Sequence, residues 1–253
     1  MIKKIINKIN SVSIKFFYYT CTKVFRLETK VFDDQILKGK RVIILGPAES
    51  SLSYMSSEAI DSFDFVIRLN KSHLNLHEYT DKLGTRTDIL FHCCVPDPIG
   101  GCGFPDEDAL IKQKNQYIIY STDIPKLRYH FHRCLVKFRK INWHILNRQY
   151  FHDILKVYKG KIPTTGFQAL NYLLRQDLNE LHITGFTFLR TPYIDGYRDS
   201  HKTPERINKL VKDAGFHDPD AELELFCELV KNRKNVFMDE TLTKLVNDFV
   251  SSC

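Results

Sequence analysis

The sequence predicts an α/β protein built on a single doubly wound, mostly parallel sheet, and three observations predict it. Short β-branched runs such as RVIIL (41–45) are bounded by charge and open into glycine loops. Segments at helical spacing lie between them, so strand and helix alternate along the chain. The length of 253 residues, 43% hydrophobic and 26% charged, supports one large core and requires no second full domain. The predicted division is a basic amphipathic N-terminal segment, 1–36, and a Rossmann-like domain, 37–253.

Charge is unevenly placed. The formal net charge is +7, but residues 1–30 hold seven Lys or Arg against the one acid Glu28, which leaves 30 basic and 29 acidic residues for the rest. A nucleic-acid surface on the folded body is therefore not expected. Ile2, Ile5, Ile6, Ile9 and Val12 fall at helical spacing with Lys3, Lys4 and Lys8 between them, ahead of Lys15 and the aromatic run 16–19. This predicts an N-terminal amphipathic helix that either lies on an anionic membrane or packs on the protein's own core. Its apolar run falls far short of the roughly 18 residues that a membrane span needs, and the lysines break any secretory leader. Seven cysteines, with Cys93 and Cys94 adjacent and no C-x2-C spacing, read as reduced thiols in a cytosol, with no metal expected.

Taken in order, the first strand (41–45) runs into Gly46-Pro47. The loop GPAESSLS has neither the GK[ST] of a P-loop nor the spacing of GxGxxG, so ATP and NAD are poorly supported. A second strand is predicted over 60–70, where alternation would put Arg68 and Asn70 on one face at the ligand end. LGTRTD then turns into a third strand, 89–92. Further alternation follows: helix 106–114, strand 116–120, helix 125–138, strand 142–146, helix 148–158. The basic, aromatic stretch 129–140 reads as a solvated helix face.

The stretch 161–185, KIPTTGFQALNYLLRQDLNELHITG, reads as a turn, a helix and a buried strand. Thr164, Thr165 and Gly166 stand where that helix begins; such an end either caps itself or offers backbone N–H groups to a phosphate. The strand closes on Gly185-Phe186-Thr187, and a polar loop follows with Tyr193, Tyr197 and His201. A helix at 203–214 leads to GFHDPDAELE, in which Asp218 suits the N-cap, Pro219 the first helical position, and Asp220 and Glu222 the first turn. His217 would stand just outside a positive helix end that disfavours imidazolium. That makes it either a neutral base near pH 7 or a hydrogen-bonded surface histidine.

Taken together, these segments resemble the sialyltransferases of glycosyltransferase family 29, in which large, small, third and very small motifs recur in fixed order. IDSFDFVIRLN and LGTRTD look like parts of the large motif, residues 161–185 like the small one, His201 like the third, and GFHDPDAELE like the very small one. The bacterial sialyltransferases of family 42 share a similar outline. The resemblance implies a GT-A-like variant of the Rossmann-like fold and an inverting transfer from a CMP-sialic acid donor to a glycan or glycolipid hydroxyl, without metal or other cofactor. His217 would be the general base, and His201 would stabilise the departing phosphate. Gly46, Pro47, Ser50, Asn70, Thr164, Thr165, Gly166, Gly185, Phe186 and Tyr197 would line the donor site.

Three departures stand out. The animal enzymes join the large and small motifs by a disulfide, but here Arg41, Val42 and Asp177 stand near the two cysteine places. Pro47 takes the usual asparagine's place, and His201 is followed by Lys202-Thr203. An Ile-, Lys- and Asn-rich chain looks bacterial, which implies a lipooligosaccharide or capsular acceptor and a cytoplasmic location, on the inner face of the inner membrane if residues 1–30 attach there. A CMP-Kdo donor is the alternative within this class. A non-catalytic α/β module binding membrane or nucleic acid is the alternative outside it.

Overall fold

The computed structural model describes residues 29–252 except 75, 97–101, 123, 125–126, 159–160, 200–202, 208–210, 212–214 and 216, together with residues 16, 19, 20, 23 and 24. The amphipathic run 2–12 and the site candidate His201 lie outside these described residues. Eight strands form one sheet: β1 (Lys30–Val31), β2 (Arg41–Leu45), β3 (Phe65–Leu69), β4 (Ile89–Phe91), β5 (Tyr117–Tyr120), β6 (Trp143–Ile145), β7 (Glu180–Thr184) and β8 (Val236–Met238). Their order is β1-β6-β5-β4-β3-β2-β7-β8 and every pairing is parallel, so the expected doubly wound sheet is present. The sheet is flanked by α1 (Ser57–Asp61), α2 (Thr80–Leu83), α3 (Glu107–Lys112), α4 (Arg128–Lys137), α5 (Arg148–Val157), α6 (Thr165–Leu173), α7 (Pro219–Val230) and α8 (Glu240–Ser252), and residues 204–207 are also helical. None of these helices is long and apolar enough to cross a membrane.

The central strands read as unbroken apolar runs because helices cover both faces. On one face Val42, Ile44 and Ile67 pack with Phe167 and Leu170 of α6 and Phe226 of α7. On the other, Ile43, Leu45 and Val66 pack with Ile60 of α1, Phe63 and Leu83. The predicted strand 60–70 is in fact two elements. Ser56 caps α1 by accepting from Ala59 N at 3.3 Å, which turns Ile60 into the core and delays β3 to Phe65. Alternation consequently stops at Leu69, and Asn70 adopts a left-handed φ of 47°.

The segment 83–88 fastens β3 to β4 through a polar clasp. Asp61 accepts from Thr85 N at 3.0 Å and Thr85 Oγ1 at 2.7 Å. Arg86 Nη2 pairs with Asp88 Oδ2 at 2.8 Å, and the same oxygen accepts from Val66 N at 2.8 Å. The Arg68 guanidinium, fully buried, donates through Nε to Arg86 O at 3.0 Å and Thr87 Oγ1 at 3.1 Å, and through Nη2 to Leu83 O. Burial pulls its pKa down to about 10, against the pull of Asp61 and Asp88, so it stays charged at neutral pH.

From β2 the chain steps outward to β6 and then returns to place β7 on the opposite side of β2. Strand order reverses there, and α/β sheets take ligands outside the carboxyl ends of strands at such a reversal. The two strand tips touch: a Cβ on Gly46 would lie 2.2 Å from Gly185 O, and one on Gly185, whose φ is 74°, would lie 2.4 Å from Gly46 O. Asp239, which follows β8, locks the junction. Its carboxylate accepts from Thr184 Oγ1, Gly185 N and Leu242 N, each at 2.8 Å, and from Ser50 Oγ at 3.0 Å.

Candidate active site

His217 stands immediately before α7 with Nδ1 2.6 Å from Ile162 O. A carbonyl only accepts, so Nδ1 carries the proton and Nε2 keeps its lone pair while the ring is neutral. Burial lowers the pKa of His217 below its ordinary value; Ile162 O opposes the shift and Arg198 adds to it. The neutral state expected from the helix end thus has burial as its main cause. The histidine is braced from below. Asp218 caps α7 by accepting from Ala221 N at 3.2 Å and pairs with Lys161, while Tyr158 donates to Asp218 O and accepts from Asp218 N at 3.0 Å.

Thr164 is the N-cap of α6, accepting from Phe167 N at 3.1 Å. Its hydroxyl also donates to Glu222 Oε2 at 2.8 Å, and its amide donates to Glu222 Oε1 at 2.6 Å. A carboxyl of α7 therefore occupies the Thr164 end of α6 and ties the small-motif helix to the one behind His217. Burial pushes that carboxyl up to about 7, the two Thr164 bonds holding it lower than burial alone would. The amides of Thr165 and Gly166 have no partner among the described residues, as the first turn of a helix requires of some N–H groups. Gly166 draws the helix down onto neighbouring tips, since a Cβ there would meet Phe186 Cε1 at 3.3 Å and Leu69 Cδ1 at 3.5 Å. Phe186, 7% exposed, is thus wedged between Gly46 and Gly166.

The Asn70 side-chain oxygen accepts from Cys93 N at 3.0 Å, which links the tips of β3 and β4; its amide donors have no partner among the described residues. Ser50 is held to Asp239, as described. The 193–197 loop folds over the Gly46 loop through an Ala48–Tyr193 bridge and an Ile194 N to Pro47 O bond of 2.9 Å. The Tyr193 and Tyr197 rings lie 5.1 Å apart, tilted by 60°, and burial raises the Tyr197 hydroxyl far above its usual pKa. Gly46, Pro47, Arg68, Ser72 and Tyr197 line a cavity of about 20 Å³, room for a water molecule and not for a nucleotide.

Two groups escaped the sequence reading. Arg198 lies close enough to act electrostatically on His217, Cys93, Tyr193 and Tyr197 together, which makes it a cation of the crevice beside Arg68. Its signal was its isolation, since no other Lys or Arg lies between Arg190 and Lys202. Asp239 could have been read as the N-cap of the DETL segment.

Fold and site define an α/β protein with a switch-point crevice lined in part by Arg68, and with a neutral histidine and Arg198 close by. No family model matches the sequence, and no curated protein matches it. Among solved structures, the chain is similar to a variant of the sialyltransferase CST-II in complex with CMP, at 16% identity and a TM-score of 0.50, over 79% of this chain and 81% of that one. It is also similar to monomeric CstII, at 16% identity and 0.48 over 79% and 81%. The third likeness is to a mammalian sialyltransferase in complex with Gal-beta-1-3GalNAc-ortho-nitrophenol, at 15% identity and 0.49 over 81% and 71%. The likeness to the CST-II variant shows the fold.

Proposed function

We propose that this chain is a glycosyltransferase of the sialyltransferase type, moving a sugar acid from a CMP-activated donor to a glycan hydroxyl. The observation that carries the reading is His217, a half-buried neutral imidazole whose Nδ1 proton is given to Ile162 O and whose Nε2 is left to accept a proton. An acceptor hydroxyl attacking a sugar–phosphate bond needs one base, an orienting crevice and positive charge at the departing phosphate. Here the base is His217. The positive charge comes from Arg198 and the open amides of Thr165 and Gly166, with His201 as a second contributor, and Asn70 addresses the nucleotide through its amide. The CMP in the CST-II complex supports the donor class. A single displacement inverts the anomeric centre and, with this charge at hand, needs no metal.

The acceptor in this reading is a bacterial surface glycan such as lipooligosaccharide or capsule, met at the inner membrane through residues 1–30. The test is release of CMP from CMP-Neu5Ac and from CMP-Kdo by the purified full chain in EDTA, with CMP binding followed by calorimetry. Release from either donor supports the reading and names the sugar. Neither release nor CMP binding overturns it, and activity restored only by a divalent cation overturns the metal-free mechanism.

A further inference from the structure

The tip of β4 carries a second cluster with chemistry of its own. Cys93 Sγ and Cys102 Sγ lie 3.0 Å apart, about 1 Å from the length of a disulfide bond. Two thiolates on one zinc ion sit farther apart than this, given Zn–S bonds of about 2.3 Å in a tetrahedron. Backbone bonds close the loop between the two cysteines: Cys102 N and Gly103 N both donate to Val95 O, at 3.0 and 3.1 Å. Cys93 N is fastened to Asn70 Oδ1.

The direction of hydrogen bonding gives the two sulfurs different parts. His92, fully buried, accepts from Cys94 N at Nδ1 (3.1 Å), so its proton sits on Nε2 and is donated to Cys102 Sγ at 3.3 Å. The Cys93–Cys102 contact lowers the Cys93 thiol and raises that of Cys102, which makes Cys102 the donor and Cys93 Sγ the acceptor that ends the chain. Such a terminus favours a thiolate. The Cys93 thiol is drawn down to about 7, first by the Cys102 hydrogen bond and also by Arg198, whereas burial pushes the Cys102 thiol up. Cys93 is half-buried and Cys102 is 2% exposed, so Cys93 is the more accessible residue of the pair.

We propose that Cys93 and Cys102 form a thiol exchange site for low-molecular-weight disulfides, with Cys93 attacking and Cys102 resolving. The Cys93 thiolate attacks one sulfur of RSSR, whose S–S bond breaks; RS⁻ leaves and takes a proton from water, and a mixed disulfide remains on Cys93. Cys102 then gives up its proton and attacks Cys93 Sγ, expelling a second RS⁻ that takes up a proton. Two protein thiols are oxidised to one disulfide, and one small disulfide is reduced to two thiols. The new bond closes the loop that anchors Asn70.

The experiment is incubation of the full chain with oxidised glutathione, followed by non-reducing peptide mapping. A Cys93–Cys102 cross-link that dithiothreitol reverses is expected in the unmodified sequence. In Cys102→Ser the first step should stall, with glutathione accumulating on Cys93, and Cys93→Ser should give neither product. A cross-link between Cys94 and Cys134 in place of the expected one, or no glutathione on Cys93 in Cys102→Ser with an unchanged circular dichroism spectrum, overturns the proposal. The mapping of the unmodified chain decides the linkage whatever the variants do.

Discussion

The clasp at 61–88 and the His217 region at 158–222 are both dense in charged and polar side chains, yet they are built to opposite ends. In the clasp each charge is answered nearby: Asp88 by Arg86 and Val66 N, Asp61 by the 84–86 turn, and Arg68 by carbonyls and Thr87. Around His217 the bonds fix orientation but leave capacity over. Among the described residues His217 Nε2 and the amides of Thr165 and Gly166 have no hydrogen-bond partner, and the Glu222 carboxyl is raised to about 7. A polar motif that consumes all its own hydrogen bonds holds a fold together, and one that leaves some unspent can act on something else.

The largest expected effect tests the second half of that contrast. His217→Ala should lower turnover by about 10²–10⁴-fold, with CMP affinity nearly intact and stability reduced by no more than about 2 kcal/mol, measured by steady-state kinetics, calorimetry and urea unfolding. An equal loss of CMP affinity would make His217 a donor ligand. Asp88→Ala should show the reverse signature, costing about 3–5 kcal/mol of stability because it strands Arg86 and a buried amide. A stable Asp88→Ala protein without activity would break the contrast, since it would move the clasp into the site.

A smaller effect separates Glu222 from His217 by sign. The folded Glu222 carboxyl holds its proton up to about 7, while the unfolded one releases it near 4.5, so the folded state binds the extra proton between those values. Stability therefore falls as pH rises through that window, by about 3 kcal/mol for this group, and Glu222→Gln should remove that slope. His217 acts oppositely: its lowered pKa means that the unfolded chain gains the proton first, so its contribution is lost as pH falls below 6.5. Urea unfolding of both forms at several pH values checks both signs, and an unchanged slope in Glu222→Gln would place its carboxyl among ordinary acids.

What the sequence made legible follows from how local each signal is. The strands β2 to β5 announce themselves as largely apolar runs because they are buried on both faces. The edge strands β1 and β8 have two and three residues, too few to show a period. The strand expected over 60–70 failed at its start because an N-cap at Ser56 outranked the apolar pattern. Thr164 could be read as a cap from its neighbours, but its bond to Glu222 spans 58 residues and has no local trace. His217 was placed beside a helix start by Asp218-Pro219; that burial would set its charge state depended on the fold bringing Ile162, 55 residues away, against it.

The reversal of strand order beside β2 also has a temporal side. Ladder contacts between β2 and β3 join residues about 23 apart, whereas Arg41 waits for Glu180, 139 residues further on. During synthesis from the N-terminus, β2 can be paired on one edge early while its other edge stays bare until β7 emerges. The glycine contact that completes the crevice is therefore among the last to form. A nascent chain holding everything up to β6 would carry an unpaired central strand, open to other chains, and no finished crevice.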